Sequence, residues 1–260
     1  MSHLTAAAIA RHLPADSPWH LDVQECVDST NTRIKAMADE LPDGAVLVAE
    51  QQTAGRGRMT RSFFSPPNCG LYVSMLLRPD LSAADGLLFT PAAAVAAAKA
   101  IEEVCGISVG IKWVNDLILH GRKVGGILTE STLTGEGRLS EVIVGIGINV
   151  YAPDEGYPAG IASVAASLLD CAGEDIRPRL CAALLTKCWE YFSCLPKADF
   201  LEEYRRRSLV LGREVTLVPG GKRVLVEQID ECCRLVVRGA DGVRCTVSSG
   251  ECSIRWICSL

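Results

Sequence analysis

The chain has 260 residues, 48% of them hydrophobic and 22% charged, with a net charge of −5 at neutral pH. That balance excludes a disordered polypeptide and argues against a protein built mainly to coat nucleic acid. The longest apolar run, Pro91 to Ala98, stops at Lys99 and is too short to cross a bilayer, and Met1 to Trp19 has no continuous apolar core of the signal-peptide kind.

A soluble, cytoplasmic protein is therefore expected. Twelve cysteines raise the question of disulfides or metal. No C-x-x-C occurs, Cys232 and Cys233 are adjacent, and the four histidines stand singly. Reduced cysteines acting as small buried apolar residues are expected instead.

In chain order, residues 1–19 read as a short amphipathic helix or leader, and His20 to Val27 as a strand. Asp28-Ser29-Thr30-Asn31 supplies N-cap candidates for a helix through Met37 to about Glu40, ended by Pro42-Asp43-Gly44. Ala45 to Glu50 and Leu71 to Leu77 are strands. Gly86 to about Val104 is an alanine-rich helix closing at Cys105-Gly106. Ile107 to Trp113 is a strand. Leu117 to Leu119 and Val124 to Thr129 form a hairpin around His120-Gly121-Arg122-Lys123, and a second turn at Thr134 to Gly137 leads into a strand ending at Asn149. Helices are expected over Val164 to Leu169, Pro178 to Leu195 and Asp199 to Arg207. From Leu211 the pattern changes to short strands: Arg213 to Val218, Lys222 to Gln228, Arg234 to Arg238, Val243 to Val247, and Ser253 to Trp256 as a possible fifth. Strands so spaced predict a small β-barrel. The chain thus divides into 1–19, a main α+β unit over 20–210, and a barrel over 211–260.

Nucleotide fingerprints fail. Gly145-Ile146-Gly147-Ile148-Asn149-Val150 has valine where a dinucleotide loop needs its third glycine, and no P-loop or G-x-S-x-G is present. The strongest local feature is Gly55-Arg56-Gly57-Arg58-Met59-Thr60-Arg61, where three arginines and two glycines share seven residues and no acid intervenes between Glu50 and Asp80. Arginine offers a fixed fork of donors for carboxylates and phosphates, and glycine allows close backbone approach. A solvated charged turn would look the same. Three further stretches combine with it. Ser29 or Thr30 could present hydroxyls to a ligand or simply cap a helix. Asn115-Asp116 could hold polar ligand atoms or simply make a turn. Lys123, before Gly125-Gly126, could meet an anion or simply face solvent.

In this order the stretches Asp28-Ser29-Thr30-Asn31, Gln52-Thr53-Ala54-Gly55-Arg56-Gly57-Arg58, Lys112-Trp113-Val114-Asn115-Asp116, Arg122-Lys123-Val124-Gly125-Gly126-Ile127 and Gly145-Ile146-Gly147-Ile148-Asn149 resemble the biotin protein ligase family. The resemblance runs from about Val27 to Asn149 and extends more weakly to the C-terminal strands. It implies a mixed sheet with helices, of the class II aminoacyl-tRNA synthetase-like kind, with a small SH3-like barrel. It also implies a two-step enzyme that uses ATP, with Mg²⁺, to turn biotin into biotinyl-5′-AMP and then biotinylates one lysine of a carboxyl carrier domain.

By the same resemblance, Arg58 and Lys123 meet the biotin carboxylate and α-phosphate. Ser29, Thr30, Asn31, Gln52 and Gly126, with Gly55, Arg56 and Gly57 of the loop, surround biotin. Arg61, Asn115, Asp116 and Asn149 belong to the nucleotide, Asp116 being near Mg²⁺ and a candidate proton acceptor. No protein cage for a metal is implied. Val114 stands where the family often has proline, and one of Phe63 and Phe64 should cap the pocket. The loop is expected to close as a lid, mobile without ligand. Only about two dozen residues precede the core, too few for the DNA-binding domain some of these ligases carry, so no DNA partner is expected, and the protein would be a monomer or homodimer. A lipoate or octanoyl ligase, or a silent biotin sensor, remains the alternative.

Overall fold

A computed structural model describes residues 4–171, 173–218, 220–248 and 250–253. A short helix, α1 (Ala6–Ala10), precedes strand β1 (His20–Val27). Leu4, Ile9 and Trp19 of this leading stretch are buried in the main core. α2 (Thr30–Ala36) follows and gives way to a 3-10 turn at Ala38–Glu40, so the continuous helix expected to Glu40 is broken at Met37.

Strands β2 (Ala45–Gln52), β3 (Gly70–Leu77), β4 (Gly110–Lys112), β5 (Asp116–Leu119), β6 (Arg122–Leu133) and β7 (Leu139–Asn149) complete a seven-stranded sheet in the order β1-β2-β3-β7-β6-β5-β4. Only β1 and β2 run parallel. The strand expected over Ile107 to Trp113 is shorter than its apolar pattern suggested, because only Gly110–Lys112 finds a partner in β5.

Two helix layers cover the sheet unequally. α3 (Phe89–Cys105) and α4 (Arg177–Phe192) pack together on one face. Ala92 to Ala98 of α3 are all buried, and side chains this small let a helix lie close on a sheet with no polar stripe of its own. Gly106 ends α3 at φ +69°, a left-handed cap that glycine adopts without strain. α2 sits on the opposite face, where Ile34 and Ala38 bury against Ala45, Leu47, Leu76 and Ile143.

The helix expected over Val164 to Leu169 does not form. The backbone there pairs outward: Ala166 N–H donates to Lys123, Leu168 to Asn149 and Leu169 to Val150. These donors are spent on strand ends, so no helical ladder can compete. α5 (Leu201–Arg207) then leads to a second sheet of five antiparallel strands, β8 (Glu214–Val218), β9 (Arg223–Ile229), β10 (Leu235–Gly239), β11 (Arg244–Val247) and β12 (Glu251–Ser253), in the order β11-β10-β9-β8-β12. The fifth strand therefore begins earlier than Ser253, while Ile254 to Trp256 lie outside the described residues. Val215, Val224, Val226, Ile229 and Leu235 of this sheet share one core with α3 and α4.

Candidate active site

Strand alternation builds the pocket floor. Side chains two residues apart share a sheet face, and the register sets Gly145 opposite Ser74 and Leu128, and Gly147 opposite Tyr72 and Gly126. These residues lie in the α2 row rather than the α3 row. Three glycines in one patch hollow out the sheet surface beside the start of α2. A Cβ on Gly145 would stand 2.0 Å from Asn31 Oδ1, one on Gly147 2.6 Å from the Phe63 ring, and one on Gly126 3.0 Å from Lys123 Nζ. The result is a recess that stays partly open to solvent.

Its walls collect most of the residues singled out in the sequence. Ser29, Thr30, Asn31 and Gln52 come from the start of α2 and the end of β2, Arg56, Gly57, Arg58 and Phe63 from the glycine–arginine loop and the residues after it, Asn115 from the turn between β4 and β5, and Lys123 and Gly126 from β6. Gly55, Arg61, Asp116 and Asn149 do not line it. Gly55 packs under the loop, where a Cβ would meet Phe63 O at 2.4 Å. Arg61 is exposed. Asn149 turns its amide to Ala166 O at 2.9 Å. Asp116 stands just behind Lys123, its Oδ1 accepting from Nζ at 2.5 Å, with Lys112 Nζ 3.9 Å from Oδ2. Of the two phenylalanines, Phe63 lines the pocket, while Phe64 packs edge-on against Tyr157.

The plain structural roles open to these residues are largely not the ones adopted. Ser29 holds the N-cap position of α2 without a side-chain capping bond. Thr30 gives both its N–H and its hydroxyl to Gln52 Oε1, at 2.9 and 3.2 Å. Gln52 in turn donates to Ser65 Oγ at 2.8 Å, which locks the base of the loop. Asn115 accepts from Arg58 at 3.0 Å and donates to Ile127 O, spanning two walls rather than making a simple turn. Lys123 is ion-paired, and its backbone is clamped between Val164 and Ala166.

The loop lies over the pocket. Gly57 N–H donates to Arg61 O at 2.7 Å, and Arg56 pairs with Ser62 across it. Met59 and Thr60 at its tip have φ of 53° and 63°, a left-handed conformation that non-glycine residues, and β-branched ones especially, reach only under constraint. Arg58 reaches Asn115 on one side and Gly250 O at 3.3 Å on the other, tying the loop to the small sheet. Arg56 forms a two-pronged ion pair with Glu130 at 2.9 and 3.1 Å. Several of these partners carried no signal in the sequence. Ser74 and Glu130 are single polar residues on β3 and β6, where alternation alone assigns them to a solvated face, and Ser65 lies outside the strands in the stretch after the arginine loop. Gly145 and Gly147 entered as part of the family resemblance, with no sign in the sequence that they would form the pocket floor.

The family model for the biotin/lipoate A/B protein ligase family matches residues 23–149, and that for the biotin protein ligase C terminal domain matches residues 210–255. The bifunctional ligase/repressor BirA of Bacillus spizizenii is 40% identical over 60% of this chain, and the chain spans only 48% of that relative's length. A biotin–[acetyl-CoA-carboxylase] ligase of Paracoccus denitrificans is 32% identical over 83% of this chain and 92% of its own. Among solved structures, the biotin protein ligase of Aquifex aeolicus in complex with biotin and ATP superposes with a TM-score of 0.74 at 29% identity, over 91% of this chain and 98% of that one. The first match takes in the glycine-lined floor, the arginine loop and Lys123 together, so the chain belongs to the biotin/lipoate A/B protein ligase family.

Proposed function

We propose that this protein activates biotin with ATP and transfers it to a lysine of a biotin carboxyl carrier domain. The observation that carries this reading is the convergence of Arg56, Arg58 and Lys123 on one recess whose inner wall is neutral and polar, made by Ser29, Thr30, Asn31 and Gln52. Such a recess suits a molecule with a polar, uncharged ring at one end and an anion at the other. Relatives named as biotin ligases, and the match of a biotin-specific C-terminal module, favour biotin over lipoate.

In the first step a carboxylate oxygen of biotin attacks the α-phosphorus of ATP, and the bond from that phosphorus to the bridging oxygen breaks to release pyrophosphate. Two anions must meet, so Lys123 and Arg58 would offset their repulsion and stabilise charge on the phosphorus. Ser29, Thr30, Asn31, Gln52 and the backbone of Arg56 and Gly126 would hold the ureido ring. Asn115, Arg61 and Asn149 would serve the nucleotide, Asn149 near its base. In the second step the carrier lysine attacks the acyl carbon, AMP leaves, and the amine proton must go to a base. Asp116, beside Lys123, would be the candidate acceptor, and the ammonium groups next to it weaken it as a base.

Magnesium would enter with the nucleotide and neutralise charge on its phosphates, with Asp116 the carboxylate that would lie near it. No cluster of three or more His, Cys, Asp or Glu side chains that could hold a metal ion is found among the described residues. The loop would act as a lid, shielding the mixed anhydride from water and moving more freely without ligand. The eleven described cysteines are all free, in keeping with a reducing compartment such as the cytoplasm.

Biotin-dependent exchange between labelled pyrophosphate and ATP tests the reading. Exchange driven by lipoate and not by biotin would replace it with the sister activity, and biotin binding without exchange would make this protein a sensor.

A further inference from the structure

Glu130 lies on the same face of β6 as Gly126 and Leu128, two residues beyond the pocket floor, and nothing in the chemistry above uses it. Its carboxylate nevertheless gathers three charge-assisted bonds. Arg56 donates to both oxygens, at 2.9 and 3.1 Å, and Asn31 Nδ2 donates to Oε2 at 3.0 Å. Arg56 belongs to the lid, and Asn31 belongs to the wall assigned to the ureido ring. One carboxylate therefore joins the moving element to the ligand-contacting amide.

The rest of the network gives that junction direction. Asn31 is held by Ser74 Oγ at 2.6 Å and by Leu128 O, and Glu130 completes its amide donors. The lid's base is fixed separately, through Gln52 and Ser65. Two of its three arginines reach opposite walls, Arg58 toward Asn115 and Gly250, Arg56 toward Glu130. Arg58 must exchange its partners for phosphate oxygens when substrate arrives. Arg56 need not, because its fork is already filled by a carboxylate in the geometry arginine prefers.

We infer that Glu130 is the latch of the lid, a positioning residue that holds Arg56 so that the loop stays closed while Arg58 changes partners. Through Asn31 it makes the closed state depend on an ordered ureido wall. This assignment rests on the function proposed above for its consequence, retention of the acyl-adenylate, but its geometry can be tested without any ligand.

Trypsin supplies that test, since Arg58 and Arg61 are cleavage sites in the lid and cleavage of a transiently open segment follows its open population. In ligand-free protein, Glu130→Gln should speed cleavage at these two sites by about fivefold, the scale of one part-exposed bidentate pair. Arg56→Gln removes the same pair from the loop side and should speed cleavage to a similar extent, and the double variant should add little further. Unchanged cleavage in Glu130→Gln, or fully additive effects in the double variant, overturns the latch. If circular dichroism shows that Glu130 variants do not fold, Arg56→Gln on the exposed loop poses the same question from the other partner, with unchanged cleavage again overturning the latch. In a second arm, Glu130→Gln should release biotinyl-5′-AMP severalfold faster than the parent. A parent protein with no biotin-dependent pyrophosphate exchange would sink the proposed function and leave the proteolysis result standing. Normal exchange with unchanged cleavage would sink the latch alone.

Discussion

At Gly145, one added methyl group would stand 2.0 Å from Asn31 Oδ1, inside any allowed contact. Asn31 cannot retreat without giving up Ser74 or Glu130. Gly145→Ala is therefore expected to raise the biotin concentration needed for half-saturation by about tenfold, the worth of one lost buried hydrogen bond. Gly135→Ala, in open space, should leave it unchanged; equal values for both variants in a binding titration would refute the steric account. Lys123→Ala should lower the rate of adenylation by about 10²- to 10³-fold, the cost typical of removing one donor aimed at developing charge. Its pairing with Asp116 is partly solvated, so the same change should cost no more than about 1 kcal/mol in urea unfolding. At this scale the residues legible in the sequence were those in motifs with a polar or glycine cluster, such as Ser29, Arg58 and Lys123. Glu130 was not, because a lone acid in an alternating strand says nothing about which loop will fold over it.

Elements were legible where periodicity and end signals agreed. α3, with its alanine run and Gly106 stop, and the β5–β6 hairpin, with His120 and Gly121 both at positive φ, followed the pattern closely. Val164 to Leu169 did not, since its backbone pairs with β6 and β7 across a distance in sequence that no local rule contains. α5 carries its own electrostatic test. Hydrogen bonds from Arg206, outweighing partial burial and joined by Arg207, hold Glu203 down to about 2, below its usual value near 4.5. A carboxylate depressed in the folded state stabilises fully above its unfolded value and loses that contribution as pH falls through the folded one. Glu203→Gln should therefore be less stable than the parent at pH 7, and the gap in urea midpoint should narrow between about pH 4.5 and 2. A gap that stays constant down the titration would contradict this role.

Across the whole molecule, the small sheet meets the site at two points. Trp113 Nε1 donates to Cys233 O at 2.8 Å and Arg58 to Gly250 O, while Tyr204 OH of α5 donates to Val114 O at 3.2 Å beside them. Trp113→Phe leaves a buried carbonyl unpaired and is expected to cost about 1–3 kcal/mol. It should also slow adenylation, because Asn115 follows on the same loop; normal turnover in a destabilised variant would show that this contact only supports the fold. Burial pushes the Cys181 thiol up to about 12 and the Cys188 thiol higher still. Alkylation at pH 8 should thus reach exposed Cys26, Cys194 and Cys245 in the native protein and spare those two. This long-range arrangement was the least legible level, since no pattern within the last fifty residues says which distant loop they will support. The two sheets nonetheless share one continuous set of buried side chains, and heat consequently finds no weaker seam to open first. Melting should appear in the calorimeter as one peak with matching calorimetric and van't Hoff enthalpies, and catalysis should vanish at that same temperature. Two separate peaks would mean that the small sheet melts on its own. In the cooperative case, warming cannot strip away the lid's outer support while sparing the pocket.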